Sequence, residues 1–364
     1  MNMKSILLGT AAGLMVASGA YAADLPGEPA PAAVDYVKVC DAYGAGFFYI
    51  PGTQTCMEIG GRVRSWVQYN TQKTGDDTLK FGADGRIFVD TRTASDFGTV
   101  RSYFRFKSGS TAKDVRVYEG DLDGSGTVNA ADYSVTHTGS THDVVLDQAY
   151  LQVGMLTIGY AGSFYGDGYI DYADDGYSIG QDKTRLRAQI VASDLGGGFF
   201  AGVGLYVRPD VLEADALTDN ALGVEGKVGI AGQSWGSAEL DAYWEDASGT
   251  EPDTWTNGKD VYGVKASVTF KATDALEVSA KAGYIVEGND KTTRLGLAAS
   301  YALNDATSLY GGVGYSINDK ADNEWAARLG ATYSLAEKTT LLGEVGYNET
   351  NDAFYALTKL TKEF

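Results

Sequence analysis

Histidine, cysteine and proline are all scarce in this chain of 364 residues, with two, two and six copies. Two histidines leave little material for a multi-histidine metal centre. Two cysteines exclude a disulfide-dense scaffold, and six prolines exclude a Pro-rich low-complexity protein. Positive charge is also short: 29 Lys and Arg stand against 48 Asp and Glu, for a formal net charge of −19. A nucleic-acid partner demands clustered Lys and Arg to neutralise phosphates, so that class is set aside. What the chain has in excess is glycine, 47 residues, and tyrosine, 24 residues. Glycine at this level without collagen-like repetition, beside an ordinary share of charge, describes a folded chain and not a disordered one.

The first 22 residues read as a secretory signal. Lys4 is the only charge before Asp24, an apolar run extends from Ile6 to Ala20, and Ala20-Tyr21-Ala22 supplies the small-x-small cleavage pattern, which places the cut before Ala23. A short membrane anchor is the alternative, but the run falls below the ~20 residues of a spanning helix. Removing Lys4 leaves 28 basic against 48 acidic residues, a mature charge of −20. Beyond the signal no stretch of 18 apolar residues occurs, which excludes a transmembrane helix and leaves open a transmembrane β-barrel, whose apolar residues hide in alternate positions. Residues 23–33 hold Pro26, Pro29 and Pro31 and read as an extended tether. Residues 34–57 form a Cys-bounded segment, and residues 58–364 turn into short alternating segments separated by Gly, Asp, Asn and Thr clusters, the chemistry of strands and turns.

Side-chain parity is explicit in several segments. Arg62, Arg64 and Gln68 alternate with Val63, Val67 and Tyr69; Arg101, Tyr103, Arg105 and Lys107 alternate with Val100, Phe104 and Phe106. Arg185, Arg187 and Gln189 alternate with Leu186, Ala188 and Ile190, and Glu239, Asp241 and Tyr243 with Leu240, Ala242 and Trp244. Such strands suit a sheet with water on one side. Spacing then separates a soluble sandwich from a membrane barrel. Phe270, Tyr301, Tyr333 and Phe364 recur about every 32 residues, interleaved with Gly283-Tyr284, Gly314-Tyr315 and Gly346-Tyr347. That period holds two membrane strands of ~10 residues, a short turn and a longer loop. The aromatics then mark the two interfacial girdles; a repeated soluble hairpin gives no reason for this phase.

At ~19 residues per strand and connection, the residues from Ile59 to Phe364 supply about 16 strands, and an even number lets the first and last pair antiparallel and close the barrel. The expected fold is all-β, a 16-stranded antiparallel transmembrane barrel. Short periplasmic turns are predicted at Ala94–Gly98, Gly154–Met155, Asp194–Gly198, Ala231–Trp235, Ala272–Ala275, Ala302–Ala306 and Leu335–Lys338, with Pro209 and Pro252 in outer loops, since proline cannot donate to the ladder.

The segment VKVCDAYGAGFFYIPGTQTC, Val37 to Cys56, followed at once by an Arg-bearing strand, resembles the N-terminal signature of the alphaproteobacterial outer-membrane porins. The signal, the Ala/Pro-rich tether, the length and the terminal Phe364 are similar to that family as well. The resemblance implies an outer-membrane homotrimer for passive diffusion of small hydrophilic solutes, with the third outer loop folded inward as a constriction. It further implies contact with lipid and lipopolysaccharide, and recognition of Phe364 by the barrel-assembly machinery, although Lys362 stands where many such proteins carry an apolar residue.

Cys40 and Cys56 enclose a loop whose closure in an oxidising periplasm removes roughly 3 kcal/mol of unfolded-chain freedom. A structural disulfide is the expected state; free thiols and a redox pair are the alternatives, and the wide spacing disfavours the latter. Parity puts Arg62, Arg64, Arg86, Arg92, Arg101, Arg105, Lys107, Arg185 and Arg187 on one face of strands 1, 2, 3 and 6 of the expected barrel. The candidate constriction loop, Gly162 to Lys183, carries Asp167, Asp171, Asp174, Asp175 and Asp182. An acidic loop against a basic wall creates a transverse field that filters ions; a solvated acidic loop beside scattered arginines is the plainer reading.

One motif exceeds what a pore requires. Asp121, Asp123, Ser125, Thr127 and Asp132 hold positions 1, 3, 5, 7 and 12 of DLDGSGTVNAAD, with Gly126 at the sharp turn, close to an EF-hand-like calcium loop. A structural Ca2+ there would rigidify the second outer loop, expected over Thr111 to His142; an acidic, Gly-rich exposed loop is the competing reading, and no cofactor is required. No enzyme is expected, because His137 and His142 both fall in that loop, away from any barrel-wall serine. A substrate-selective channel, a barrel enzyme and a secreted β-rich adhesin are the alternatives to a general diffusion porin.

Overall fold

The computed structural model describes residues 37–71, 78–118, 133–166, 184–209, 220–246, 260–349 and 352–364. The unit Val39–Phe364 is built almost wholly of strands. A short β1 (Phe48–Tyr49) is followed by β2 (Cys56–Asn70), β3 (Thr78–Ser95), β4 (Gly98–Tyr118), β5 (Tyr133–Val153), β6 (Leu156–Ala161) and β7 (Arg185–Ala192). Then come β8 (Phe199–Pro209), β9 (Asn220–Gln233), β10 (Gly236–Glu245), β11 (Val261–Lys271) and β12 (Leu276–Glu287). The chain closes with β13 (Asp290–Asn304), β14 (Thr307–Asn318), β15 (Glu324–Ala336), β16 (Thr339–Asn348) and β17 (Ala353–Glu363).

From β2 onward every strand pairs antiparallel with the next, and β17 returns to β2 through Glu363↔Arg62 to Tyr355↔Asn70. Sixteen strands therefore close without an edge, and Phe364 exchanges both backbone hydrogen bonds with Gly61 at the seam. All seven predicted short turns join consecutive strands at one end of the barrel. Two expectations change. The second outer loop is shorter than expected, because β4 and β5 stay paired out to Tyr118↔Tyr133, so His137 and His142 lie in β5. Alternating Val115, Val117 and Val135 continue the ladder. Pro209 is the last residue of β8, opposite Asn220, instead of a loop residue; a strand terminus tolerates a residue without an N–H.

Burial follows strand parity. Leu295, Leu297 and Tyr301 of β13 are exposed while Ala298 between them is buried, and the same alternation runs through β7–β17. Because the sheet is closed, the exposed apolar residues face outward and the buried polar ones face the lumen. Phe270, Tyr301, Tyr333 and Phe364 lie outward at the short-turn ends of their strands, and Tyr284 and Tyr315 outward near the other ends. On β13, Thr293 lies opposite Tyr284 and eight residues from Tyr301. At ~3.4 Å per residue and ~40° tilt this is roughly 21 Å of height, close to the apolar band of an outer-membrane barrel.

Candidate pore lining and constriction

The inner face of β2–β5 carries seven of the predicted cations. Arg62, Arg86 and Lys107 fall opposite one another across three strands, and Arg92 lies opposite Arg101. The wall is not purely basic, however. Arg64 grips Asp84 through Nε, at 2.9 Å to each carboxylate oxygen. Asp90 is buried and takes Arg92 and Arg101 at 2.8 Å each. Asp147 takes Arg105 at 2.5 Å and Lys107 at 2.6 Å. Arg86 stands between these pairs, its Nε buried without a hydrogen-bond partner. Asp84 and Asp90 share the parity of Arg86 and Arg92, so their lumenal position could have been read from the sequence. Asp147 could not. It shares the parity of the outward Leu151, and enters the lumen because the ladder shifts between Arg105 and Phe106, leaving Asp147 as the extra residue of a bulge.

The start of the predicted constriction loop folds inward. Leaving β6, the chain crosses the inner faces of β7, β9, β10 and β11 in five residues. Gln189 Nε2 donates to the Gly162 carbonyl at 3.1 Å. Ser163 Oγ and the Phe164 N–H donate to Glu225 Oε2 at 2.7 and 3.1 Å. The Tyr165 ring meets Tyr243 edge-on at 4.7 Å, and Lys265 Nζ donates to the Tyr165 and Gly166 carbonyls at 2.8 and 3.0 Å. Glu225 also receives Arg187, and both side chains are essentially inaccessible, at 0% and 1% exposure. Arg185 pairs with Glu245 at 2.6 Å. The two β7 arginines thus lie behind the loop with their charges matched, on a different wall from the β2–β4 cations. Asp167, Asp171, Asp174, Asp175 and Asp182 lie outside the described residues, as do Asp121, Asp123, Ser125, Thr127 and Asp132 of the candidate calcium loop.

The remaining lumen wall is thickened by aromatic rings that lie flat over glycines of the adjacent strand. Trp66 covers Gly82, Tyr206 covers Gly223 and Tyr355 covers Gly346, each directly opposite in register. A Cβ added at these glycines would come within 2.0, 2.1 and 2.4 Å of the ring. Tyr310 and Tyr355 then donate to the two oxygens of the buried Glu344, at 2.8 and 2.7 Å, over Leu342 and Leu357. The expected disulfide is present, joining the buried Cys40 and Cys56 across a Cα separation of 6.0 Å.

A closed barrel with an apolar exterior, charged interior and inward loop defines a water-lined transmembrane channel of the bacterial outer membrane. Residues 24–362 match the family model described as the porin subfamily, and the chain belongs to that family. Porin Omp2a of Brucella ovis is 37% identical over 246 residues, covering 65% of this chain and 68% of the relative. Porin Omp2b of Brucella canis is 37% identical over 214 residues, 56% of this chain and 54% of the relative. The fold is similar to the outer membrane channel DcaP of Acinetobacter baumannii, at TM-score 0.62 and 14% identity, covering 87% of this chain and 99% of that one. It is also similar to the trimer form of OmpT of Vibrio cholerae, at TM-score 0.56 and 14% identity, covering 86% and 100%.

Proposed function

We propose that the chain forms a general diffusion pore, as a homotrimer, for ions and small hydrophilic solutes, narrowed where the chain leaving β6, residues 162–166, crosses the inner wall. The observation that carries this reading is the double anchor of that loop: Glu225 holds Ser163 and Phe164, and Lys265 holds two successive carbonyls. A loop tied to the inner wall at mid-strand narrows a channel. The trimer reading is supported by an uneven outer surface. Outward Tyr and Trp such as Trp244, Tyr262, Tyr284, Tyr315, Trp325 and Tyr333 sit on β10–β15. Among the described side chains of β3–β9 the outward face carries one Tyr or Trp, Tyr160, its other rings being the phenyls of Phe81, Phe104, Phe106 and Phe199. Tyr and Trp, with a polar tip on an apolar ring, belong where lipid headgroups are, so the wall poor in them fits against neighbouring subunits. Purified protein in planar bilayers is expected to insert with three equal conductance steps; isolated single steps would count against the trimer, and the absence of steps against an open pore.

The acidic loop residues are proposed to set ion selectivity across from the β2–β4 cations. Converting Asp171, Asp174 and Asp175 together to Asn is expected to move the reversal potential in a salt gradient toward anion preference, because less negative charge then balances the arginines. An unchanged potential would place these carboxylates away from the constriction.

A further inference from the structure

We propose that the disulfide-clamped segment Cys40–Cys56 forms a second constriction, a collar of aromatic rings and guanidinium groups at the periplasmic mouth of the pore. The proposal rests on the pore reading of the barrel and assigns a conduction role to a segment that precedes the ring of sixteen strands and is clamped to its first residue, Cys56.

Register fixes its height. Arg62 lies opposite the penultimate residue Glu363, and Cys56, six residues further toward the short-turn end, lies opposite Arg92 and so next to Arg101. The collar is therefore at the periplasmic end, well away from the anchors of loop 162–183.

Ring contacts fix its side. Arg92 belongs to the inner face of β3, and its guanidinium carbon lies 4.7 Å from the Phe47 ring centroid and 5.8 Å from that of Tyr43. A Cβ added at Gly46 would come within 3.3 Å of the Glu58 carboxylate, which shares the inner-face parity of Arg62. The segment thus covers the inside of the wall. At this height β17 has ended and β1 takes its place on the β2 edge, completing the rim, while the Phe47 and Tyr43 rings lie against the inward Arg92 and take cross-section from the mouth of the lumen.

The collar is also held rigidly. Cys40, Phe47 and Cys56 are buried in one cluster with Tyr43 and Tyr49 packed on it. Phe48 and Tyr49 pair with Met57 and Cys56, and Thr55 bonds Thr93 at 2.8 Å. Arg92 shares Asp90 with Arg101, and Arg101 lies over the Tyr103 and Tyr150 rings, at 5.1 and 5.5 Å, which stack on each other at 5.1 Å. Contacts run continuously from Phe47 on the segment through Arg92, the Asp90 carboxylate and Arg101 to the Tyr103–Tyr150 stack, with cation–π attraction at the ring–guanidinium steps. Two of the predicted basic-wall residues, Arg92 and Arg101, thereby serve as the joint between segment and wall.

The test is sided polymer exclusion in planar bilayers, with neutral polymers of graded size added to one compartment at a time. Two variants are compared with the parent chain: Cys40→Ser/Cys56→Ser, which unclamps the segment, and Phe47→Ala, which trims the ring and leaves the disulfide intact. Both are expected to raise single-channel conductance roughly 1.2- to 1.5-fold, as a widened series resistance would, and to admit larger polymers from the periplasmic side while the external cut-off stays fixed. An unchanged periplasmic cut-off in Phe47→Ala overturns the proposal, whatever the folding of the double variant. An equal shift on both sides also overturns it, since that reports general loosening of the barrel. Absence of conductance steps in the parent chain would instead defeat the pore reading itself.

Discussion

Glu225→Ala is expected to lower barrel stability by about 3–5 kcal/mol and to give channels with larger, noisier conductance. Four donors converge on this carboxylate: Arg187, Gln189, Ser163 Oγ and the Phe164 N–H. The first two belong to the wall and the last two to the constriction loop. Truncation leaves the buried Arg187 guanidinium without that counter-charge, and breaking a buried pair from one side is far worse than never having built it. It also frees Ser163 and Phe164, so that the loop is tied mainly through Lys265. Glu225→Gln keeps an acceptor for Ser163 and Phe164 and is expected to loosen the loop less while still losing the charge pairing. Urea unfolding in lipid vesicles measures the first effect and open-channel noise the second. A Glu225→Ala protein with parental midpoint and quiet current would mean that the loop is positioned by something else.

Gly223→Ala is expected to destabilise the same wall by about 1–3 kcal/mol, the usual range for overpacking. The new Cβ would lie 2.1 Å from Cζ of Tyr206, and that ring has little freedom to retreat. Its hydroxyl donates to Glu245 at 3.1 Å, and Arg185 and Arg187 lie over its face at 5.1 and 5.5 Å. Moving the ring disturbs both arginines, including the partner of Glu225. The effects of Gly223→Ala and Glu225→Ala are therefore expected to be non-additive, since residues sharing one network couple. Unfolding midpoints of the two single variants and the double variant test this; strict additivity would show that Tyr206 shifts without touching Arg187.

The abundance of glycine and tyrosine acquires a joint explanation here. Several glycines are needed where an aromatic ring on the next strand lies across the backbone, as at Gly82 under Trp66 and Gly346 under Tyr355. Turn and girdle positions account for others, such as Gly98 in the left-handed region at φ +98° and the outward Tyr301 and Tyr333. Composition alone could assign these residues to turns and girdles, but not to one another, because ring-over-glycine pairing depends on which strand is the neighbour and in which register.

The sequence by itself determined the strand count, the seven short turns, the closure on an even number of strands, and the face to which Arg62, Arg101 or Leu186 is turned. These follow from local rules: a side-chain period of two, turn residues at fixed intervals, and aromatic rings returning to an interface every two strands. Tertiary structure alone decided how the charges match. Ser163 meets Glu225 and Tyr165 meets Lys265 across 62 and 100 residues, distances over which no local pattern constrains pairing. Only the closed barrel and the inward course of the loop bring them together. The bulge at Asp147 is the sharpest case. One extra residue reverses the face of a side chain, so a carboxylate that alternation assigns to lipid becomes the partner of Arg105 and Lys107 within the pore.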